Sequence, residues 1–414
     1  MNPEAAQLWK APRWTLAILL AMLGMLGPFS IDTYLPAFAA ISRSLDASPL
    51  QMQQTLSAYL FGFAFMNLFH GALSDSFGRR PVILGGLTLF TLASVGCALS
   101  QTVEHLIFFR ALQGLSTGAG IVVSRAVIRD MFPPSEAQRV MSQITIFFGV
   151  APAVAPMMGG VLSEYLGWHS IFWFLVGVGL VLIASNLRLL PETLHVKDRQ
   201  PFQFRHLMHG YALLLSDPRF LLLALASGVP FNGLFLYILA APAYLGDVLH
   251  LKPTQFFWFF ALSIAGIMAG SWMSGRMAGK VAPKNQIMQG FRIMVAISIV
   301  NTAANALFNA NVWWSLWPIA LFAYGWALMV PVVTLLVLDL HPDRRGMASS
   351  LQAVVGSIAN GIVAGAVAPL VMHSALWLAI TSMTFLTVGL IAWLWLHQRW
   401  PAIGRLAHDT QAAS

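Results

Sequence analysis

Charge is what this sequence has least of. Asp, Glu, Lys and Arg make up 9% of its 414 residues, whereas a soluble globular domain carries roughly 25%. With 58% apolar residues, the chain cannot cover a water-facing surface, which excludes an ordinary soluble fold. Cysteine is almost missing as well: the single Cys97 rules out an intrachain disulfide. No G-x-x-x-x-G-K-[ST] loop is present, so nothing supports work driven by the chain's own ATP hydrolysis. Closely spaced acids, which a membrane-embedded transferase needs to hold metal-bound phosphates, are limited to Asp339 and Asp343 beside Arg344 and Arg345, and these read as an ion-pair network in a turn. His206 and His209 stand at i, i+3 without an acidic or thiol partner at ligand spacing, so the segment holding them reads as solvated linker and no metal is expected.

Long apolar runs fill the space that charge leaves. Runs bounded by charge, Pro or Asn predict membrane spans over residues 14–40, 51–71, 82–100, 105–127, 139–163, 168–190, 219–246, 254–276, 286–308, 313–338, 347–371 and 374–397, because a helix rises ~1.5 Å per residue and the hydrocarbon core is ~30 Å thick. The first run is too long for a signal-peptide core, so no cleavable leader is expected. The fold class expected is an all-α polytopic membrane protein of twelve helices in two six-helix bundles. The expected division is 1–190 for the first bundle, 191–218 for a cytoplasmic linker, 219–397 for the second bundle and 398–414 for a cytoplasmic tail.

The formal charge of +8 belongs to topology rather than to nucleic-acid binding, since no polar domain exists to hold a groove. With the N-terminus inside, 20 of the 23 Lys and Arg residues fall on cytoplasmic segments, Arg43 and Lys252 fall outside, and Arg110 lies within a span. This is the positive-inside pattern and predicts a multi-pass membrane protein with both termini cytoplasmic. A weak echo links the halves: Gly-Ala-Leu-Ser-Asp-Ser-Phe-Gly-Arg-Arg (71–80) after span two and Ser-Gly-Arg-Met-Ala-Gly-Lys (274–280) after span eight, as parallel repeats would produce.

The stretch GALSDSFGRRP (71–81) has the form G-x-L-x-D-x-x-G-R-[RK] and resembles the signature loop of the major facilitator superfamily. RALQGLSTGAG (110–120) resembles the span-four motif of its proton-coupled members. GVAPAVAPMMGG (149–160) resembles the span-five antiporter motif, departing from it with Ala155-Pro156 before Gly159-Gly160. Together with D-x-Y-L-P at 32–36, Arg129-Asp130 and GMASSLQ at 346–352, these are similar to the Bcr/CflA branch of bacterial drug/proton antiporters. Ala72 and Asn67 depart from that branch without removing a charge. The resemblance implies alternating-access export of small drugs in exchange for protons, by a protein that is not an enzyme, needs no cofactor and acts as a monomer in the lipid bilayer. Transport of an endogenous metabolite is the alternative, and a polytopic membrane enzyme the more distant one.

Asp32 is the one carboxylate that the spans place well inside the membrane, where a charge costs several kcal/mol. A protonatable group in a watered cleft explains it. An interfacial role, with Pro28 breaking the helix and Ser30 or Asp32 capping the next one, also fits the sequence. Arg110 cannot shed its proton; it either snorkels to the outer face or, with Gln113 one turn on, turns inward and tunes Asp32. Asp32, Arg110 and Gln113 are therefore expected to couple protons to transport. Gly71, Asp75, Gly78, Arg79, Arg80, Arg129 and Asp130 are expected to gate, as are Pro152, Pro156, Gly159 and Gly160 through kinks and close helix contact. Asp32, Tyr34, Tyr59, Asn67, Asn232 and Tyr237 are the expected substrate contacts.

Overall fold

The computed structural model describes residues 13–200, 202–251, 255–308 and 311–404. Lys10, Lys252 and Arg405 lie outside them, so their sidedness has no structural counterpart here. Among the described residues the regular structure of the chain is all helical. Its first span runs as α1 (Arg13–Asp32), a 3-10 turn (Leu35–Ala37) and α2 (Phe38–Ser44). Next come α3 (Pro49–Phe77), α4 (Arg79–Ala98), α5 (Val103–Met131), α6 (Pro134–Leu166) and α7 (His169–Leu189). After the segment with α8 (Phe204–Ser216) lie α9 (Pro218–Ala241), α10 (Phe257–Met277), α11 (Pro283–Leu307), α12 (Val312–Leu340), α13 (Arg345–Ile362), α14 (Ala368–Val371) and α15 (Ala375–Arg399). Eleven stretches among the described residues are long and apolar enough to cross a membrane. Helix α6, 33 residues long, covers the remaining predicted span at 139–163.

Boundaries reflect local chemistry. Ser48 and Gln51 form a reciprocal capping box at the start of α3, with Pro49 in the first turn, so two orphan amide groups are satisfied and a missing N–H costs nothing. Thr102 and Ser374 cap α5 and α15 through their side chains. Most helices outrun the apolar runs that announce them, because polar residues at the ends bond within the protein. The clearest case is 71–81. Residues 71–77 belong to α3 and Arg79 begins α4, so Gly78 alone makes the turn, at φ 103°, a conformation that favours glycine.

Two expectations about the first span and the linker need correction. Pro28 does not break the first helix, which runs through it to Asp32; the break comes at Thr33–Tyr34, ahead of Pro36. The 191–218 segment is not simply solvated, because α8 buries Leu207, Gly210, Tyr211 and Leu214 on one face while Arg205 and His209 stay exposed. The His206 side chain lies outside the described residues.

Contacts group the chain into two compact units that do not follow chain order. The first comprises residues 1–133, 150–211 and 342–354, and the second 134–149, 212–341 and 355–414. In the first, α3 and α5 form the most extensive helix pair, with α4 packed on α5 and α7 and α1 on α5. In the second, α12 packs on α10 and α11, and α9 on α15. The start of α13 thus belongs to the first unit and the start of α6 to the second.

Candidate transport site and helix latches

Arg110 does not snorkel. It is fully buried, its guanidinium lying 4.5 Å from the Tyr34 ring centroid and 4.3 Å from that of Tyr59, a sandwich that partly replaces lost water. Its Nη1 donates to Gln113 Oε1 at 2.9 Å and to the Ser30 carbonyl at 3.4 Å, and Gln113 passes the chain on to Ser94 Oγ at 2.7 Å. The tyrosines are tied in turn: Tyr34 to Thr55 Oγ1 at 2.6 Å, and Tyr59 to the Gly27 carbonyl at 3.0 Å and Thr117 Oγ1 at 3.2 Å. Arg110 Nε and Nη2 have no hydrogen-bond partner. Close approach makes this box possible, since a Cβ on Gly114 would overlap the Tyr59 carbonyl.

Asp32 ends α1 two residues beyond Ser30, at the break in the span. Neither of the next two helix starts has a side-chain cap, so Asp32 is not the helix cap that the interfacial reading requires. Among the described residues no hydrogen bond or ion pair holds its carboxylate, which is partly exposed. The break is pressed by the antiporter-like motif: a Cβ on Gly159 of α6 would overlap the Thr33 carbonyl next to Asp32. Gly160 faces open space and Pro156 is half-buried. Gly149 and Pro152 lie within α6, but their side chains are outside the described residues.

The residues of 71–80 that are expected to gate, with Arg129 and Asp130, gather around Gly78. Asp75, buried, receives Arg79 Nη1 and the backbone N–H groups of Gly346 at 3.2 Å and Met347 at 2.9 Å, so a carboxylate caps the first turn of α13, where a negative charge is favoured. Arg79 Nε also reaches Asp130 Oδ2 at 3.0 Å, and Arg345 Nη1 reaches Asp130 Oδ1 at 2.9 Å. Gly71 N–H donates to Ser350 Oγ at 2.9 Å, and a Cβ on Gly71 would overlap the Gly346 carbonyl. Arg80 donates to the Leu187 carbonyl at 2.7 Å, and Arg129 to that of Phe132 at 3.1 Å. Sequence reasoning missed Glu192, whose carboxylate accepts the Arg79 and Arg80 amides at 2.9 and 3.2 Å and so caps α4 from beyond α7. It read Arg345 into a turn network with Asp339 and Asp343, whereas the fold brings it to Asp130.

The echo at 274–280 belongs to a second, uncharged latch inside the other unit. Gln138 Nε2 at the start of α6 donates to the Ser274 carbonyl and to Gln286 Oε1, both at 2.9 Å. Gln286 Nε2 donates to Ser274 Oγ and to the Leu328 carbonyl, both at 2.8 Å. Lone glutamines carry no sequence signal for such a role.

The six expected substrate contacts fall in both units. Tyr34 and Tyr59 are committed to Arg110. Asn67 is buried in the first unit with both amide atoms unpartnered. In the second unit Asn232 donates to the Gly228 carbonyl at 3.0 Å, and Tyr237 accepts from Asn301 at 2.9 Å.

Buried polar groups are joined across membrane-length helices, with a charged latch at a helix junction, and the family match makes the chain a transporter and not an enzyme. The chain belongs to the major facilitator superfamily, whose profile matches residues 20–364. It is 30% identical over 386 residues to a bicyclomycin resistance protein homolog of Haemophilus influenzae, covering 92% of this chain and 96% of that protein. It is 28% identical to multidrug resistance protein D of Escherichia coli over 96% of this chain and 98% of that one. A chloramphenicol resistance protein of Pseudomonas aeruginosa is 26% identical over 92% and 90%. These relatives agree with the Bcr/CflA resemblance read from the motifs. Among solved structures, the human organic anion transporter MFSD10 superposes with a TM-score of 0.71 at 18% identity over 94% of this chain and 100% of that one, and the proton:xylose symporter XylE with 0.71 at 14% over 94% and 95%. At those identities the likeness concerns the fold alone.

Proposed function

We propose that the protein exports small amphipathic drugs from the bacterial cytoplasm across the inner membrane in exchange for protons. The observation that carries this reading is Asp32: a carboxylate at a break in a membrane span, partly exposed, with no described partner. Such a group takes and releases a proton more cheaply than one locked in an ion pair. Proton and drug then compete for one region, and that competition is antiport. Arg110 and Gln113 hold the neighbouring backbone through Ser30, so a change at Asp32 meets a stiff support. Alternating access proceeds as a movement of two six-helix halves, 1–190 and 219–397, joined by the 191–218 linker. The Asp75–Arg79–Asp130 network favours one conformation. Asp32, Tyr34, Tyr59, Asn67, Asn232 and Tyr237 are proposed substrate contacts, the two tyrosines through rearrangement around Arg110. The protein works as a monomer without a cofactor, both termini cytoplasmic. The names of its relatives support drugs over an endogenous metabolite as cargo.

The test is purified protein in lipid vesicles. An imposed pH gradient should drive accumulation of a bicyclomycin- or chloramphenicol-class compound, and adding the compound should release protons. Transport that ignores the pH gradient would contradict proton coupling, and a protein that moves none of a broad drug panel would contradict drug export.

A further inference from the structure

Helix α3 buries a second ionisable group, one with no part in the export reading. His70 is 3% exposed. Its ring donates to the Leu115 carbonyl of α5, which leaves Nδ1 as a lone-pair acceptor, and that atom has no partner. One turn earlier on the same face, Asn67 is 1% exposed with Oδ1 and Nδ2 both unpartnered. These atoms converge on Gly118 of α5: a Cβ there would overlap Asn67 Oδ1 and come within 2.9 Å of His70 Nδ1. Unsatisfied buried polar atoms are costly, so a packing that retains three of them calls for a functional reason.

The start of α13 covers this seam. Ser350 Oγ accepts from Gly71, the residue after His70, and Ser349 Oγ donates at 3.1 Å to the carbonyl of Val122, one turn beyond Gly118. The same segment is held by Asp75. Tyr211 of α8 also donates to the Leu68 carbonyl. We propose that His70, with Asn67 beside it, is a second proton-binding site, distinct from Asp32, emptied when the start of α13 closes over the seam and filled from water when it lifts.

The chemistry supports both states. With the seam closed, an imidazolium would face no free carboxylate. Helix α5 offers Leu115, Gly118 and Val122; Asp75 on α3 is bound to Arg79; Arg345 on α13 is bound to Asp130; Tyr211 is uncharged. The ring is therefore neutral in this packing. Once water enters, Nδ1 takes a proton and donates to Asn67 Oδ1, while the same amide, turned over, donates from Nδ2 to the neutral ring. Asn67 thus serves either protonation state. Protonation favours the lifted state, so acid should open the latch through the ordinary histidine range, near pH ~6.5.

The test uses the full chain in nanodiscs with Cys97→Ala and Ala348→Cys, the new thiol being buried in the closed latch. Its labelling rate, normalised to the unfolded protein at each pH, should rise about tenfold from pH 7.5 to 5.5, as expected for a group that titrates near 6.5 only in the open state. His70→Gln and His70→Phe, two non-titrating replacements of different shape, should remove most of that rise, while Asp32, Asp75 and Asp130 remain to report their own share. A rise that persists in either folded variant overturns the proposal. So does a rate that is flat over this range before His70 is touched, a result that needs no His70 variant. None of these readouts involves drug transport, so they stand apart from the export reading.

Discussion

At the scale of single residues, the membrane makes each polar group accountable. Arg110 keeps its charge by spreading it over two aromatic faces and one amide, which is why lysine is no substitute: a compact ammonium cannot stack flat or hold the same fork. Arg110→Lys should leave Gln113 and the tyrosine sandwich underfilled and cost about 1–3 kcal/mol. Thermal unfolding in detergent should show a lower midpoint, and an unchanged one would mean that the sandwich contributes little. The sequence made it legible that Arg110 and Asp32 were costly and therefore purposeful. It left open which way Arg110 turns, because residue spacing along α5 gives only its rotational position. The answer depends on Tyr34 and Tyr59, which lie 76 and 51 positions away in the chain.

At the scale of elements, the helix junctions carry the argument. Asp75 meets the first turn of α13 with its charge, so Asp75→Asn should weaken that capping and the pull on Arg79 together. A loss of about 1–2 kcal/mol would shift the open and closed populations five- to thirty-fold. Transport should slow while drug binding to the purified protein stays largely intact; binding lost in proportion would mean that the residue acts on substrate. A second junction lies between α8 and α9, outside the predicted spans. Burial works to raise the Asp217 carboxyl, but the Arg219 side chain and amide outweigh it, His341 helps, and the group is held below the ordinary carboxylate range. A depressed folded-state value stabilises the fold above the unfolded value of about 3.9 and is lost as pH falls below it. Asp217→Asn should therefore lower the unfolding midpoint at pH 7 and close the gap to wild type on acidification toward pH 3; a gap independent of pH would contradict the ion-pair account. Of these junctions the 71–80 motif was readable, as was the weak echo at 274–280. The Glu192 cap and the Gln138–Gln286 clasp were not, because their meaning arises only when distant segments meet.

At the scale of the whole molecule, composition alone decided the class, and apolar length found the eleven stretches able to cross a membrane and the long helix α6. The helices run past the predicted spans by a few residues for a physical reason: α3 and α5 continue beyond the apolar stretch, with Asp75 and Asp130 bonded inside the protein instead of to water. The division by contact, in which parts of α6 and α13 leave their sequence neighbours, could not be read from hydropathy, which carries no information on long-range packing. Orientation rests on basic residues, 20 on cytoplasmic segments and span ends against 2 on the other side, and predicts that a cysteine introduced near Ser414 resists impermeant reagents in intact cells and reacts after permeabilisation. Labelling in intact cells would invert the topology.

The central claim is that Asp32 exchanges the proton that drives export. Asparagine keeps the shape and most hydrogen bonding of that side chain while fixing it in a neutral state. The direct measurement is Asp32→Asn in vesicles under an imposed pH gradient, with insertion and folding checked by size-exclusion behaviour. The account predicts that drug still binds, but that gradient-driven accumulation and drug-induced proton release both vanish. Retention of both at wild-type rates would contradict it.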